Sequence, residues 1–297
     1  MLKFLIIPSL SFSVFFILFL PVVNAATIVV SIPPLASALK PLLSENDKIV
    51  VLLPANQSPH HFSLKPSHLI EIAKADLLIS VGVGVDDWAG KAFANQQLRN
   101  KTPHIIFAQV EGVTLLSRSK KGGSHSHHHH AHNHGTANYD PHLWLDLDNI
   151  KALLETVSKT DLAVSKEKLA NELKKLSQLD EENKRILEPV QQVAFLIEHP
   201  AFNYFEKKYQ LNNVGSIELN ESGTSLKHMM KLQQKIETEN VRCIFKSAHT
   251  SSKKVATLLG SNNRAINIET LNPMGDESLV TAQVFSNLVQ QYLRCLQ

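Results

Sequence analysis

Short runs of β-branched and aliphatic residues alternate with longer stretches of helical period, and the alternation occurs twice along the chain. From Thr27 the order is TIVVSI, a helical stretch near residues 35–43, KIVVLL, a helix after Pro66, DLLISV, a helix from Trp88, and HIIFA. Strands separated by segments long enough for a helical crossover are the mark of a parallel sheet covered by helices. The pattern restarts at VAFLIEH and continues through a helix over residues 202–209, VGSIEL, a helix from Ser225, VRCIF, a helix from Ser251, AINIE, and an amphipathic helix from Glu277. Between the two halves, DNIKALLETVSKTDLAVSKEKLANELKKLSQLDEENKRILEPV sets apolar residues at helical spacing among many Lys and Glu, and it stops at Pro189. That segment predicts two helices, the second long. The expectation is an α/β protein of two lobes with mainly parallel sheets, residues 26–160 and 191–297, joined by one long backbone helix within 161–190. The chain is long for one domain, and its hydrophobic content suffices for two separate cores.

The first 25 residues carry one charge, Lys3, then a long apolar run, and end on Val23-Asn24-Ala25. This is the pattern of a secretory signal peptide cut after Ala25; Pro21 and the small residues at the cut weigh against a membrane anchor. No cysteine lies near the cut to carry a lipid, so the expected location is periplasmic, as a soluble protein of a two-membrane bacterium. Loss of Lys3 takes the formal charge from +3 to +2, and the remaining charges are mixed in sign. No stripe for nucleic acid or a membrane surface emerges. In an oxidising compartment the chain's two cysteines, Cys243 and Cys295, read first as a disulfide pinning the last helix to a strand of the second lobe. Such a closure stabilises by about 4 kcal/mol in the chain-entropy model.

Fifteen histidines are many for a chain of 297 residues, and seven of them fall in SHSHHHHAHNH: His125, His127, His128, His129, His130, His132 and His134. Around residues 117–139 the composition turns to Ser, Lys, Gly and His without apolar period, which predicts a mobile surface insertion. Imidazoles on a flexible chain bind zinc, copper or nickel in interchangeable ways, so the insertion reads as a metal-collecting loop. Three other histidines sit where strands give way to loops: His60 in NQSPHHFSLKPS, His142 in NYDPHLWLDLDN and His199 in LIEHPAFNYF. Ligands of open α/β sheets bind at the carboxyl ends of strands, where His60 and His199 fall, and one ion could meet all three. His68, His104 and His228 lie in helical or strand contexts and read as structural or solvent-facing.

The runs LLPANQSPHHFSLKPSHLIEIAKADLLISVG, DPHLWLDLDN and EHPAFNYFEKKYQL resemble the three histidine motifs of the zinc-uptake (ZnuA-type) branch of the metal-binding ABC solute-binding proteins. The similarity spans the chain beyond the signal segment, including the histidine insertion and the two cysteines. It implies two α/β lobes on one backbone helix, with Zn2+ held between them as transported ligand by His60, His142 and His199. It also implies a monomer that delivers its ion to an ABC permease and its ATPase in the inner membrane, without catalysis. Manganese and iron members of the family carry a carboxylate at the third position, where this chain has His199. The chain departs from the family pattern at CIFKSAHTS, where Glu-Pro-Gln-Phe is usual after the strand, and at Asn272-Pro273-Met274-Gly275, where Asp-Pro-Leu-Gly is usual. A neutral amide is a poorer ligand than a carboxylate, so a water, His249 and the Asn272 oxygen are the candidates for a fourth ligand.

Three imidazoles suit zinc, a borderline-soft ion with nitrogen ligands at about 2.0–2.1 Å. Protons compete for them, so affinity is expected to fall below about pH 6. Two other readings carry the same ligands. A zinc-dependent hydrolase would use three histidines and a water, with Glu198 as base, yet the sequence has no H-E-x-x-H and no G-x-S-x-G. A binder of manganese, copper or nickel is the alternative within transport, and the histidine loop discriminates poorly between zinc, copper and nickel.

Overall fold

Thr27–Val30 (β1), Lys48–Val51 (β2), Leu77–Ser80 (β3) and His104–Ile106 (β4) pair in parallel in the order β2-β1-β3-β4. Phe195–Ile197 (β5), Asn213–Ser216 (β6), Cys243–Lys246 (β7) and Asn267–Thr270 (β8) repeat that plan as β6-β5-β7-β8, again parallel. The computed structural model describes residues 25–297 apart from 55–56, 60–61, 83, 118–137, 163, 218–225, 249, 251–254, 256–257 and 260–264. The signal segment up to residue 24, the seven-histidine run, His60 and His249 therefore lie outside the described residues. Among the described residues no helix is long and apolar enough to cross a membrane.

In each sheet the chain lays its second strand on one side of the first and then returns to the other side. The strand order thus reverses between β1 and β3, and again between β5 and β7. Connections leaving neighbouring strands at such a point diverge to opposite faces and open a crevice at the carboxyl ends. Both lobes expected from the sequence supply one crevice each.

The central strands β1, β3, β5 and β7 are buried on both faces, and their alternation sorts side chains into layers. Ile28 and Val30 of β1 point to a central cluster, while Val29 points to an outer one with Leu78, Ala89 and Phe93. Phe195, Ile197 and Phe245 also face the central cluster, whereas Leu196 and Ile244 face a third with Leu232 and Ile236. The outer layers are formed by helices Pro66–Ala73 (α2) and Asp87–Asn100 (α3) on the first sheet and Leu226–Thr238 (α7) on the second. Between the sheets lie Pro33–Leu39 (α1), Leu147–Val157 (α4), Lys166–Leu187 (α5), Asn203–Lys208 (α6) and Thr281–Leu296 (α8). Two separate cores were expected from length and composition. Instead one buried cluster runs unbroken from β1 through these helices to β7, because α1, α4, α5 and α8 pack on one another.

Local chemistry sets the helix bounds. Pro33 and Pro34 open α1, where a missing N–H costs nothing. The Asp146 carboxylate accepts from the Asp148 N–H at 2.8 Å and caps α4. Ser165 Oγ accepts from Lys168 N–H at the start of α5. That helix has 22 residues, roughly 33 Å of rod at 1.5 Å per residue. Its buried stripe, Glu172, Leu176, Asp180, Asn183 and Leu187, is largely polar. Two of these find partners on the second half: Tyr209 Oη donates to Asp180 at 2.9 Å and receives Asn183 Nδ2 at 3.3 Å. Lys208, at the end of α6, reaches Asp146 at 3.3 Å and Asp180 at 3.4 Å, so one ammonium ties α4, α5 and α6 together. In α8 the residues Phe285, Leu288, Val289, Tyr292 and Leu296 recur at helical period and face the core. The Cys243–Cys295 disulfide joins β7 to α8 with a Cα–Cα distance of 5.5 Å, the pairing the sequence suggested.

Glu206, like Asp86 in the first half, is buried with no cation among its described partners. Glu206 of α6 receives Asn213 Nδ2 at 2.7 Å and the Tyr292 hydroxyl at 3.0 Å. Burial pushes its carboxyl up to about 7 against those two donors. The folded protein holds this proton more tightly than the unfolded chain, so the stabilisation is complete below pH 4.5 and is lost as pH rises through 7. Glu206→Gln is expected to raise stability at pH 8 by up to about 3 kcal/mol and to matter little at pH 4.5. Urea unfolding of both proteins at the two pH values checks this; an equal effect at both would contradict it.

Candidate metal centre

His142 is built into place by Asp140, two residues before it. One carboxylate oxygen of Asp140 accepts from the His142 backbone N–H at 3.0 Å and meets ring Nδ1 at 2.7 Å. The other accepts from Asn203 Nδ2 at 2.8 Å, and Asn203 also donates to the Pro200 carbonyl at 3.0 Å. Burial alone would raise Asp140; the His142 ring, the His142 backbone and the Asn203 amide overcome it and hold the carboxyl below its ordinary range. An ionised carboxylate at Nδ1 fixes the proton there and turns the lone pair to Nε2, the arrangement of a metal-ligating histidine.

Four further contacts fix this segment. Asp140 N–H donates to Leu116 O at 2.7 Å, and Ser117 bridges Tyr139 antiparallel to it. The Tyr204 hydroxyl donates to Asp140 O at 2.8 Å while accepting Leu116 N–H at 3.0 Å. Ser117 and Tyr139, the described residues on either side of 118–137, are therefore held together just ahead of His142. After it, Trp144 donates its indole N–H to Pro273 O at 2.8 Å, fastening the His142 turn to the loop between β8 and α8.

His199 arrives from the other sheet. It leaves the carboxyl end of β5 in a tight turn, with Ala201 N–H on its carbonyl at 2.7 Å. It lines a depression of about 190 Å³ with Phe202, Phe245, Ser247, Leu271 and Pro273. The rings of His142 and His199 stand 5.3 Å apart, nearly perpendicular at 79°, and Trp144 lies 5.3 Å from His142 on an edge. Two of the three expected ligands, one from each half of the chain, are thus side by side. The third, His60, is outside the described residues, but both its flanks are held. Trp88 donates its indole N–H to Pro59 O at 3.0 Å and packs edge-on against Phe62 at 4.6 Å. Among the described residues no group of three histidines, cysteines or acids gathers closely enough to hold an ion.

The remaining histidines and fourth-ligand candidates divide clearly. His68 accepts from Lys65 N–H at 3.1 Å in a reciprocal cap of α2. His104 pairs with Ser80 Oγ at 2.8 Å inside the first sheet. Asn272 uses its amide within its own turn, Oδ1 on Met274 N–H at 3.0 Å and Nδ2 on Gly275 O at 2.9 Å.

The crevice of the first sheet is shaped by Asp86. Its carboxylate accepts from Ser31 Oγ, from Val81 N–H at 2.6 Å and from Gly82 N–H at 2.9 Å, joining the ends of β1 and β3. Burial raises this acid to about 6 in spite of the three donors. Gly82 has φ +124°, and a Cβ there would come within 3.2 Å of Ile106, so the turn requires glycine. Sequence reasoning assigned no role to Asp86, Asp140 or Asn203; of these only Asp140, in Asp-Pro-His, carried a signal, a carboxylate beside a candidate ligand.

Comparison with known proteins agrees in sequence and in fold. The high-affinity zinc uptake system protein ZnuA of Paracoccus denitrificans is 29% identical over 302 residues, covering 89% of this chain and 88% of that protein. A crystal structure of ZnuA superposes with a TM-score of 0.74 at 22% identity, over 92% of this chain and all of that one. The solute-binding protein FpvC of Pseudomonas aeruginosa, in complex with nickel, superposes at 0.70 with 19% identity, over 92% and 97%. Residues 28–295 match the family model of ZnuA, the periplasmic component A of zinc-uptake complexes, and the chain belongs to that family of metal-binding transport proteins.

Proposed function

We propose that the protein captures Zn2+ in the periplasm between its two halves with His60, His142 and His199, and delivers it to an ABC permease driven by an ATPase. The observation that carries this reading is the pairing of His142 with His199, each from a different half, with the Asp140 carboxylate against Nδ1 of His142. Water takes the fourth position in this reading, since Asn272 spends its amide in its own turn; His249 is the remaining alternative. Residues 1–25 act as a signal peptide, cleaved near Ala25. The seven histidines between residues 125 and 134 act as a metal-collecting loop in this reading.

Zinc is favoured by the ligand type and by the relatives, one structure of which is a ZnuA deletion mutant with zinc bound. A second metal is a specific competitor: the structural neighbour FpvC has been crystallised with Ni2+ and with Mn2+. Imidazole pairs suit nickel and copper as well as zinc, while manganese prefers oxygen.

Calorimetric zinc titration tests the site in protein lacking residues 118–137. One tight site should survive that deletion and weaken sharply in each of His60→Ala, His142→Ala and His199→Ala. Asp140→Asn should cost about 10–100-fold in affinity, as expected for loss of a carboxylate behind a ligating histidine. Tight binding that disappears with the loop and ignores all four substitutions would make the protein a histidine-loop buffer instead.

A further inference from the structure

Glu198 stands immediately before His199, at the carboxyl end of β5, and its carboxylate is turned toward the neighbouring strand. One oxygen, Oε2, accepts both the Ser247 N–H at 2.6 Å and the Thr250 hydroxyl. Those two residues begin and end the turn that follows β7, which is closed by Thr250 N–H on Ser247 O at 3.1 Å. The backbone is joined at the same place, with Glu198 N–H on Phe245 O at 2.8 Å. Ser247 lines the depression that His199 lines, and Thr250 is buried. A single acid thus fastens the turn after β7 to the residue beside a candidate ligand, at the point where the second sheet reverses its strand order.

We infer that Glu198 is a positioning residue that latches the turn after β7 against the His199 loop and thereby sets the rate at which the metal leaves. This rests on His199 being a ligand. Hydrogen bonds to an ionised group are about twice as strong as neutral ones, and two converge here on one oxygen. A turn held at both ends fixes the backbone beside His199, and moving it away requires these bonds to break. Loops of this kind commonly limit release rather than capture. The carboxylate is engaged with the turn, which separates this role from the general base that the sequence offered.

The test is the rate of zinc release from the full mature chain, loaded with one equivalent and mixed rapidly with excess chelator. Glu198→Ala and Thr250→Val should each release zinc about tenfold faster, the loss of one charge-assisted hydrogen bond at the low end of its range, with the association rate little changed. Thr250→Ser, which keeps the hydroxyl, should release at the parent rate, and the double variant should be no faster than Glu198→Ala alone. A melting temperature that falls in Thr250→Val while release is unaltered would overturn the latch and leave a purely structural bond. Faster release in Glu198→Ala alone would also overturn it, pointing to a direct effect of the carboxylate on the ion. His199→Ala is the control for the underlying reading: if it leaves zinc affinity and release unchanged, the site itself has failed, whatever the latch variants do.

Discussion

The Asp140 carboxylate is where the two halves of the molecule and its candidate metal ligand meet. It orients His142 from the first half, is held by Asn203 from the second, and its own carbonyl is bound by Tyr204. Both Asn203 and Tyr204 open α6, whose far end is moored to α4 and α5 through Lys208 and Tyr209. A ligand geometry that must be kept within a fraction of an ångström is therefore supported by a short helix fixed at both ends. Two of the buried polar groups on α5, Asp180 and Asn183, make sense in this light: they receive the end of α6.

The shared central core has a consequence for capture. Halves with a core each could swing about the connecting helix, as separate domains do by default. Here one apolar cluster runs from β1 to β7 through α1, α4, α5 and α8, and closely packed cores do not deform continuously. In the function proposed above, metal entry and exit then fall to the loops at the strand ends. Those loops are clipped individually: Trp88 on Pro59, Trp144 on Pro273, Glu198 on Ser247 and Thr250.

Much of this was legible in the sequence, and the reason is local. β-Branched runs such as TIVV and KIVV pair as strands, the proline starts and the stop near Pro189 bound helices, and Cys243 and Cys295 form the expected bond. His142 and His199 were singled out by motif and residue type, and the fold sets their rings side by side. The supporting contacts of Asp86, Asp140, Glu198 and Glu206 were not legible, since they depend on partners far along the chain: Ser31, Asn203, Thr250 and Tyr292. Continuity of the core was equally hidden, because periodicity tells which face of a helix is apolar and not which sheet it meets.

The central claim is that one zinc ion is bound by imidazoles from both halves. X-ray absorption at the zinc edge, on protein without residues 118–137 and loaded with one equivalent, measures this directly. The account predicts three imidazole nitrogens at about 2.0–2.1 Å and one light oxygen, falling to two imidazoles in His142→Ala and in His199→Ala. A first shell with fewer than three imidazoles, or one that is unchanged by both substitutions, would contradict it.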